Sequence, residues 1–192
     1  MHPRAQWLVT HVTGTTIANL GYAGDGPVAD TLNTAIGQAN PQATIIPIDI
    51  NAQLVRNLAT PNATIGSVLE LPLKTSSVDA VIMGELLEHF YDIYPILIEA
   101  SRVVKPGGHL YITTPNPYQI FRFLKHWLLK PNSSLASKSN YRQFLGDADH
   151  KNYWEPLSLT NTLAHLNFQT VSLETISIRI HLSNQQKKLV GT

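Results

Sequence analysis

The sequence predicts an α/β domain built on a mostly parallel sheet, and three observations carry that prediction. Stretches of strand and helix character alternate along the 192 residues, as they do when crossover helices join parallel strands. Residues 78–83 form an apolar run interrupted only by Asp79, the composition of a strand buried on both faces. The first strand-like stretch, 15–20, opens directly into a glycine-rich turn carrying Gly21, Gly24 and Gly26. Such a turn lets a backbone bend sharply and approach another group closely.

Taken in order, residues 4–10 suit a short leading helix and 15–20 a first strand. Residues 27–38 follow as a helix with Val28, Leu32, Ala35 and Ile36 on one face. A second strand spans 44–48 and ends at Asp49, a short helix spans 53–59, and a short third strand spans 63–66. Residues 78–83 are the fourth strand. Residues 94–104 form an amphipathic helix closed by Lys105-Pro106-Gly107-Gly108. Lysine suits a helix carboxyl end, and proline and glycine stop the helix. Residues 109–113 make the fifth strand. Beyond it, 118–130 read as helical, 131–140 as a polar loop and 157–166 as a late helix. Two further strands, 168–174 and 176–181, are expected to pair antiparallel, giving seven in all. One domain is therefore expected over 1–183, with an insertion at about 118–150 and a frayed tail at 184–192.

Apolar residues make up 43% of the chain, enough for a core. Charged residues are only 14% and the net charge is +1, which gives no electrostatic case for nucleic acid. The absence of cysteine removes disulfides, thiolate metal sites and cysteine nucleophiles. The first ten residues hold no continuous apolar stretch, so no secretory signal is expected. No run approaches the roughly 20 apolar residues of a membrane span. Together these point to a cytoplasmic protein. The eight histidines are scattered, without a paired metal motif, so no metal is expected.

Three groups of residues carry candidate chemistry. Gly21, Gly24 and Gly26 lie at a strand-to-helix turn, where a ligand can approach backbone and helix start; a plain tight turn reads equally well. Asp49 follows that turn by about 20 residues, the offset of a carboxylate that accepts both hydroxyls of a ribose. Its structural alternative is a cap for the short helix after it. Glu85, Glu88 and His89 follow the fourth strand, at the sheet edge where open α/β sheets bind ligands. Glu85 would then lie beside a cofactor or cap a helix start. The three have no further metal ligand nearby in sequence.

With these residues in view, the stretch from Leu69 to Asn116 resembles the class I S-adenosylmethionine-dependent methyltransferases of the ubiquinone-biosynthesis-like, type 11 group. The matching words are Leu71-Pro72-Leu73, Ser77-Val78-Asp79-Ala80-Val81, Glu85-Leu86-Leu87-Glu88-His89, Arg102-Val103-Val104-Lys105-Pro106-Gly107-Gly108 and Thr114-Pro115-Asn116. Weaker similarity reaches back to Thr15 and forward through Asp149-His150 to Phe168. The resemblance implies a Rossmann-like, doubly wound sheet of seven strands, the last antiparallel, and S-adenosyl-L-methionine as cofactor. It implies that Gly21, Gly24 and Gly26 underlie the methionine part, that Asp49 holds the ribose and that Ile50 packs on the adenine. Ser67, Val68 and Leu69 would edge the adenine, and Met83, Gly84 and Glu85 would line the sulfonium side. The chain departs from the family at Asn19 and Ser67, where acidic residues are usual.

The expected activity is methyl transfer to a small-molecule, sugar or lipid-like acceptor, with oxygen favoured. The alternative is a methyltransferase-like binding module of weak or no catalysis, to which Asn19 and Ser67 point. His150 is the candidate general base. It lies in Asp147-Ala148-Asp149-His150, where either aspartate could orient the imidazole. A role confined to hydrogen bonding within its loop competes with that reading. Residues 118–130 interleave Phe121, Leu124 and Leu128 with Arg122, Lys125, His126 and Lys130, which suits a lid over the acceptor, a lipid-facing surface or a packed insertion helix.

Overall fold

A computed structural model describes residues 3–21, 27–57, 61–115 and 150–174. Helix α1 (Pro3–His11) leads into β1 (Thr16–Leu20), α2 (Pro27–Ala39), β2 (Thr44–Asp49), α3 (Ala52–Asn57) and β3 (Thr64–Ile65). Then come β4 (Val78–Gly84), a single 3₁₀ turn (Leu87–His89), α4 (Tyr94–Val103), β5 (Val104–Thr113) and α5 (Pro156–His165). The five strands lie in the order β3-β2-β1-β4-β5, and every neighbouring pair is parallel. The order reverses between β1 and β4, so the chain winds outward in both directions from β1.

The central strands are buried on both faces, and their alternation sorts side chains between two cores. Ile17, Ala80 and Ile82 face one way and meet Leu8 and Val12, from α1 and just beyond it, and Ile36 of α2. Ala18, Leu20, Val81 and Met83 face the other way and meet Ile96, Leu97, Ala100 and Val103 of α4 and Leu159 of α5. Helix α5 begins firmly. Pro156 occupies its first turn, and the Glu155 carboxylate accepts from the N–H groups of Leu157 and Ser158.

Two sequence expectations need correction. Lys105-Pro106-Gly107-Gly108 does follow the end of α4, but these residues belong to β5 rather than to a turn before it. The pairing with β4 shifts register between Val78 and Ala80, and that irregularity accommodates proline and two glycines. Gly107 adopts φ +78, and a Cβ on Gly108 would come within 2.6 Å of the Asp79 carbonyl oxygen, so β5 can pass this close only as glycine. Residues 168–174 form no strand. Val171 and Leu173 are exposed there, because a strand needs a ladder partner and none of the described residues supplies one. The expected partner at 176–181 lies outside the described residues, as does the expected insertion helix at 118–130.

Asp79 ties the amino ends of β1, β4 and β5 together. Its Oδ2 accepts from the Thr15 N–H at 2.9 Å, the Thr15 hydroxyl at 2.7 Å and the Thr16 N–H at 2.9 Å, while Lys105 Nζ donates to Oδ1 at 2.6 Å. The lysine above all, then the threonine bonds, hold this carboxyl well below the usual carboxylate range. A carboxyl lowered in the folded state stabilises the fold above its unfolded value of about 3.9, and that contribution fades as the pH falls further. Asp79→Asn is therefore expected to cost about 1–2 kcal/mol at pH 7, discounted for partial exposure. The gap from wild type should shrink steadily below about pH 4. Urea unfolding at both pH values checks this; a gap that stays constant with pH would contradict the ion-pair account.

Candidate functional site

Parallel strands end in register, so the carboxyl ends of β1 to β5 form one edge. Leu20 pairs with Ile48 on one side and Met83 on the other, Asp49 pairs with Ile65, and Gly84 pairs with Thr113. Gly66, Asp49, Gly21, Gly84 and Thr113 thus stand in a row, and the order reversal between β1 and β4 lies at its centre. In open α/β sheets this is where ligands sit.

Gly21 adopts φ +67, and its N–H donates to the Ile48 carbonyl at 2.8 Å. A Cβ there would come within 2.6 Å of Leu86 Cδ1, so the turn requires glycine on two counts. Gly24 and Gly26 lie outside the described residues. Asp49 is 8% exposed, and its Oδ1 accepts from the Asn51 N–H at 2.8 Å. The cap of α3 is Asn51, whose Oδ1 accepts from the Leu54 N–H at 3.1 Å; Asp49 braces the turn before it.

Among the described residues, apolar side chains that face solvent at this edge include Ile50, 75% exposed, and Leu69, 52% exposed. Ser67 Oγ accepts from the Leu69 N–H at 3.1 Å and closes that loop. Val68 and Met83 turn their side chains into the core, leaving only backbone to meet a ligand. Glu85 adopts φ +53, a conformation uncommon outside glycine and often found at functional positions. Its N–H donates to the Thr113 carbonyl at 2.9 Å. Its carboxylate pairs with Arg4 of α1, while the buried Oε1 accepts no hydrogen bond among the described residues. Arg4 carries no sequence signal, because the pairing joins distant parts of the chain. Asn19 is buried and donates to Asn33 Oδ1 of α2 at 2.7 Å, so its amide links strand and helix.

Further along the edge, Glu88 is fully buried, and that burial pushes its carboxyl above the usual value. The Thr114 hydroxyl donates to Oε2 at 3.4 Å, and His150 Nε2 lies 4.0 Å from Oε1. The His89 and His150 rings meet edge to face, 5.2 Å between centres. Three bonds fix this approach. The N–H groups of Lys151 and Asn152 donate to the Glu88 carbonyl at 2.8 and 3.1 Å, and Trp154 Nε1 donates to the Leu87 carbonyl at 2.9 Å. Asp147 and Asp149 lie outside the described residues, and the carboxylate seen beside His150 is Glu88. The words 71–73 and 102–108 act structurally instead. Arg102 donates to the carbonyls of Leu71 and Leu73 at 3.1 and 2.8 Å, and Lys105 pairs with Asp79.

Residues 22–112 match the family model described as a methyltransferase domain. A protein of Mycolicibacterium smegmatis named as a probable S-adenosylmethionine-dependent methyltransferase is 32% identical over 96 residues, covering 50% of this chain and 35% of its own. One of Mycobacterium tuberculosis with the same description is 38% identical over 50 residues, covering 26% of this chain and 18% of its own. The chain thus spans about a third or less of the length of these curated relatives. Among solved structures, a SAM-dependent methyltransferase of Thermotoga maritima superposes with a TM-score of 0.60 at 17% identity, over 87% of this chain and 70% of that one. One of Methanosarcina mazei gives a TM-score of 0.54 at 17% identity, over 88% of this chain and 85% of that one. These likenesses establish the fold.

Proposed function

We propose that this chain, whose residues 22–112 match the family model described as a methyltransferase domain, transfers a methyl group from S-adenosyl-L-methionine to a small-molecule, sugar or lipid-like acceptor, with oxygen favoured. The observation that carries this reading is Asp49 beside Gly21 at the carboxyl edge of the sheet, where β1 borders the point at which the strand order reverses. A carboxylate and a close-approach backbone turn stand where a ribose and its extended substituent need them. The residues fit such a molecule: the turn at Gly21 leaves no room for a side chain, and Glu85 keeps a buried carboxylate oxygen that accepts no hydrogen bond among the described residues.

When bound, the cofactor supplies a sulfonium methyl group, already a potent electrophile. What remains for the protein is to align the acceptor and keep water out. Asp49 accepts the ribose hydroxyls, Ile50 and Leu69 cover the adenine, the Gly21 turn underlies the methionine part, and Glu85 lines the sulfonium side. His150, backed by Glu88, faces the acceptor side and takes the hydroxyl proton as the new bond forms. A base of this kind suits an oxygen acceptor, which is why oxygen is favoured. The net charge of +1 supports a small acceptor over nucleic acid. No helix among the described residues is long and apolar enough to cross a membrane.

A second reading, a methyltransferase-like binding module, is favoured by Asn19, whose amide is engaged by Asn33, and by Ser67, whose hydroxyl accepts from Leu69. Calorimetry decides between them. S-adenosylhomocysteine, the transfer product, should bind with measurable heat while NAD gives none. Absence of heat and of thermal shift at saturating product would overturn the transferase reading in favour of the module.

A further inference from the structure

The approach of His150 to the 3₁₀ turn creates a cluster whose chemistry exceeds that of a single base. One ligand atom each from Glu88, His89 and His150 lies within 4.8 Å of the other two. We propose that these three side chains bind a divalent first-row transition ion of the zinc and cobalt kind at the acceptor side of the cleft. The expectation of no metal rested on the lack of another ligand near Glu88 and His89 in sequence. The fold supplies one from the far side of residues 116–149.

Four features support the assignment. Two imidazole nitrogens and one carboxylate oxygen are a donor set for zinc, cobalt or iron rather than magnesium or calcium. Three protein ligands leave further positions open, as in sites that also bind a reactant. The frame is also prebuilt: the Glu88 carbonyl accepts from Lys151 and Asn152, and the Leu87 carbonyl from Trp154, so the two ligand-bearing segments are fastened by backbone and indole rather than by the ligands themselves. Finally, Glu88 is fully buried, yet its Oε1 accepts no hydrogen bond among the described residues. A buried carboxylate oxygen in that state is costly, and a cation between it and the imidazoles removes the cost. Thr114 meanwhile holds the other oxygen from behind, the supporting bond metal carboxylates commonly receive.

Ligand atoms about 2.1 Å from one ion lie roughly 3–3.4 Å apart. Closing onto the ion therefore asks the two rings to rotate inward while the fastened backbone stays in place. The role of the ion rests on the transferase reading, and with the ion bound His150 serves as a ligand in place of acting as the base. An acceptor hydroxyl coordinated at an open position loses its proton to solvent more readily. The resulting oxygen lone pair forms the bond to the methyl carbon, and the pair of the breaking carbon–sulfur bond stays on sulfur.

The full chain, stripped with a chelator and dialysed, should bind one equivalent of Co²⁺ with visible ligand-field absorption, and Zn²⁺ should displace it. Glu88→Gln, His89→Gln and His150→Gln should each weaken Co²⁺ binding at least about tenfold, while His11→Gln, on α1, leaves it unchanged. Melting curves identify any variant that fails to fold, and the near-isosteric Glu88→Gln keeps the test open if a histidine variant does. No Co²⁺ spectrum, or binding undiminished in folded variants, overturns the site. S-adenosylhomocysteine binding to the metal-free protein is measured in parallel. Product binding without Co²⁺ binding sinks the ion site alone, whereas Co²⁺ binding without product binding sinks the transferase reading and leaves the ion site standing.

Discussion

Asp49→Ala is expected to weaken S-adenosylhomocysteine binding by about 2–4 kcal/mol, roughly 30- to 1000-fold. Two hydroxyls donating to one carboxylate form two charge-assisted bonds, each contributing about 1.5–3 kcal/mol, and water recovers part of that once the carboxylate is gone. The fold should lose little. Asp49 also accepts from Asn51 at 2.8 Å, a contact worth about 1 kcal/mol, but Asn51 itself caps α3 and the β1–β2 ladder does not involve the side chain. Asp49→Asn should fall between wild type and alanine, because its amide keeps one acceptor and presents one donor. Calorimetry on folded variants checks all three. Affinity within a few-fold of wild type in Asp49→Ala would remove the ribose role and leave Asp49 as a brace for the turn.

The parts of the fold legible in the sequence are those fixed by local pattern. Val78–Gly84 announces itself because a strand buried on both faces needs an almost unbroken apolar run. Asp49 and Gly21 were findable because parallel strands end together, so residues just past two strand ends become neighbours. Lys105 to Gly108 misled for a related reason. Proline and glycine stop a helix whatever follows, and whether the next residues form a turn or a bulged strand depends on β4, which local pattern does not reveal. Val68 and Met83 show another limit: a resemblance assigns a position in a loop or strand, while the side-chain direction is settled by the core. The Glu85–Arg4 and Glu88–His150 approaches were illegible, since each joins segments far apart in the chain. The ExxEH word held half of the second one, and the fold supplied the rest.

His150→Ala is expected to lower turnover roughly 10²–10⁴-fold, the usual scale for losing a positioned acid or base, with product affinity unchanged. Turnover is read as S-adenosylhomocysteine released in the presence of a panel of hydroxyl acceptors. Affinity should hold because the residues assigned to the cofactor, Gly21, Asp49 and Glu85, touch none of the bonds that fix His150. Folding should hold because those bonds come from the backbone of Lys151 and Asn152 and the indole of Trp154, which the substitution leaves intact. Added imidazole distinguishes the two parts His150 could play. As a free base, the missing ring is replaced by diffusible imidazole, and turnover recovers in chelator-treated protein. As an ion ligand, recovery requires imidazole and Zn²⁺ together, and the chelator abolishes turnover in the wild type as well. Turnover within a few-fold of wild type would exclude both parts. His150 would then only hydrogen-bond within its loop and fix its path, and the acceptor proton would have to leave by another group on the same edge.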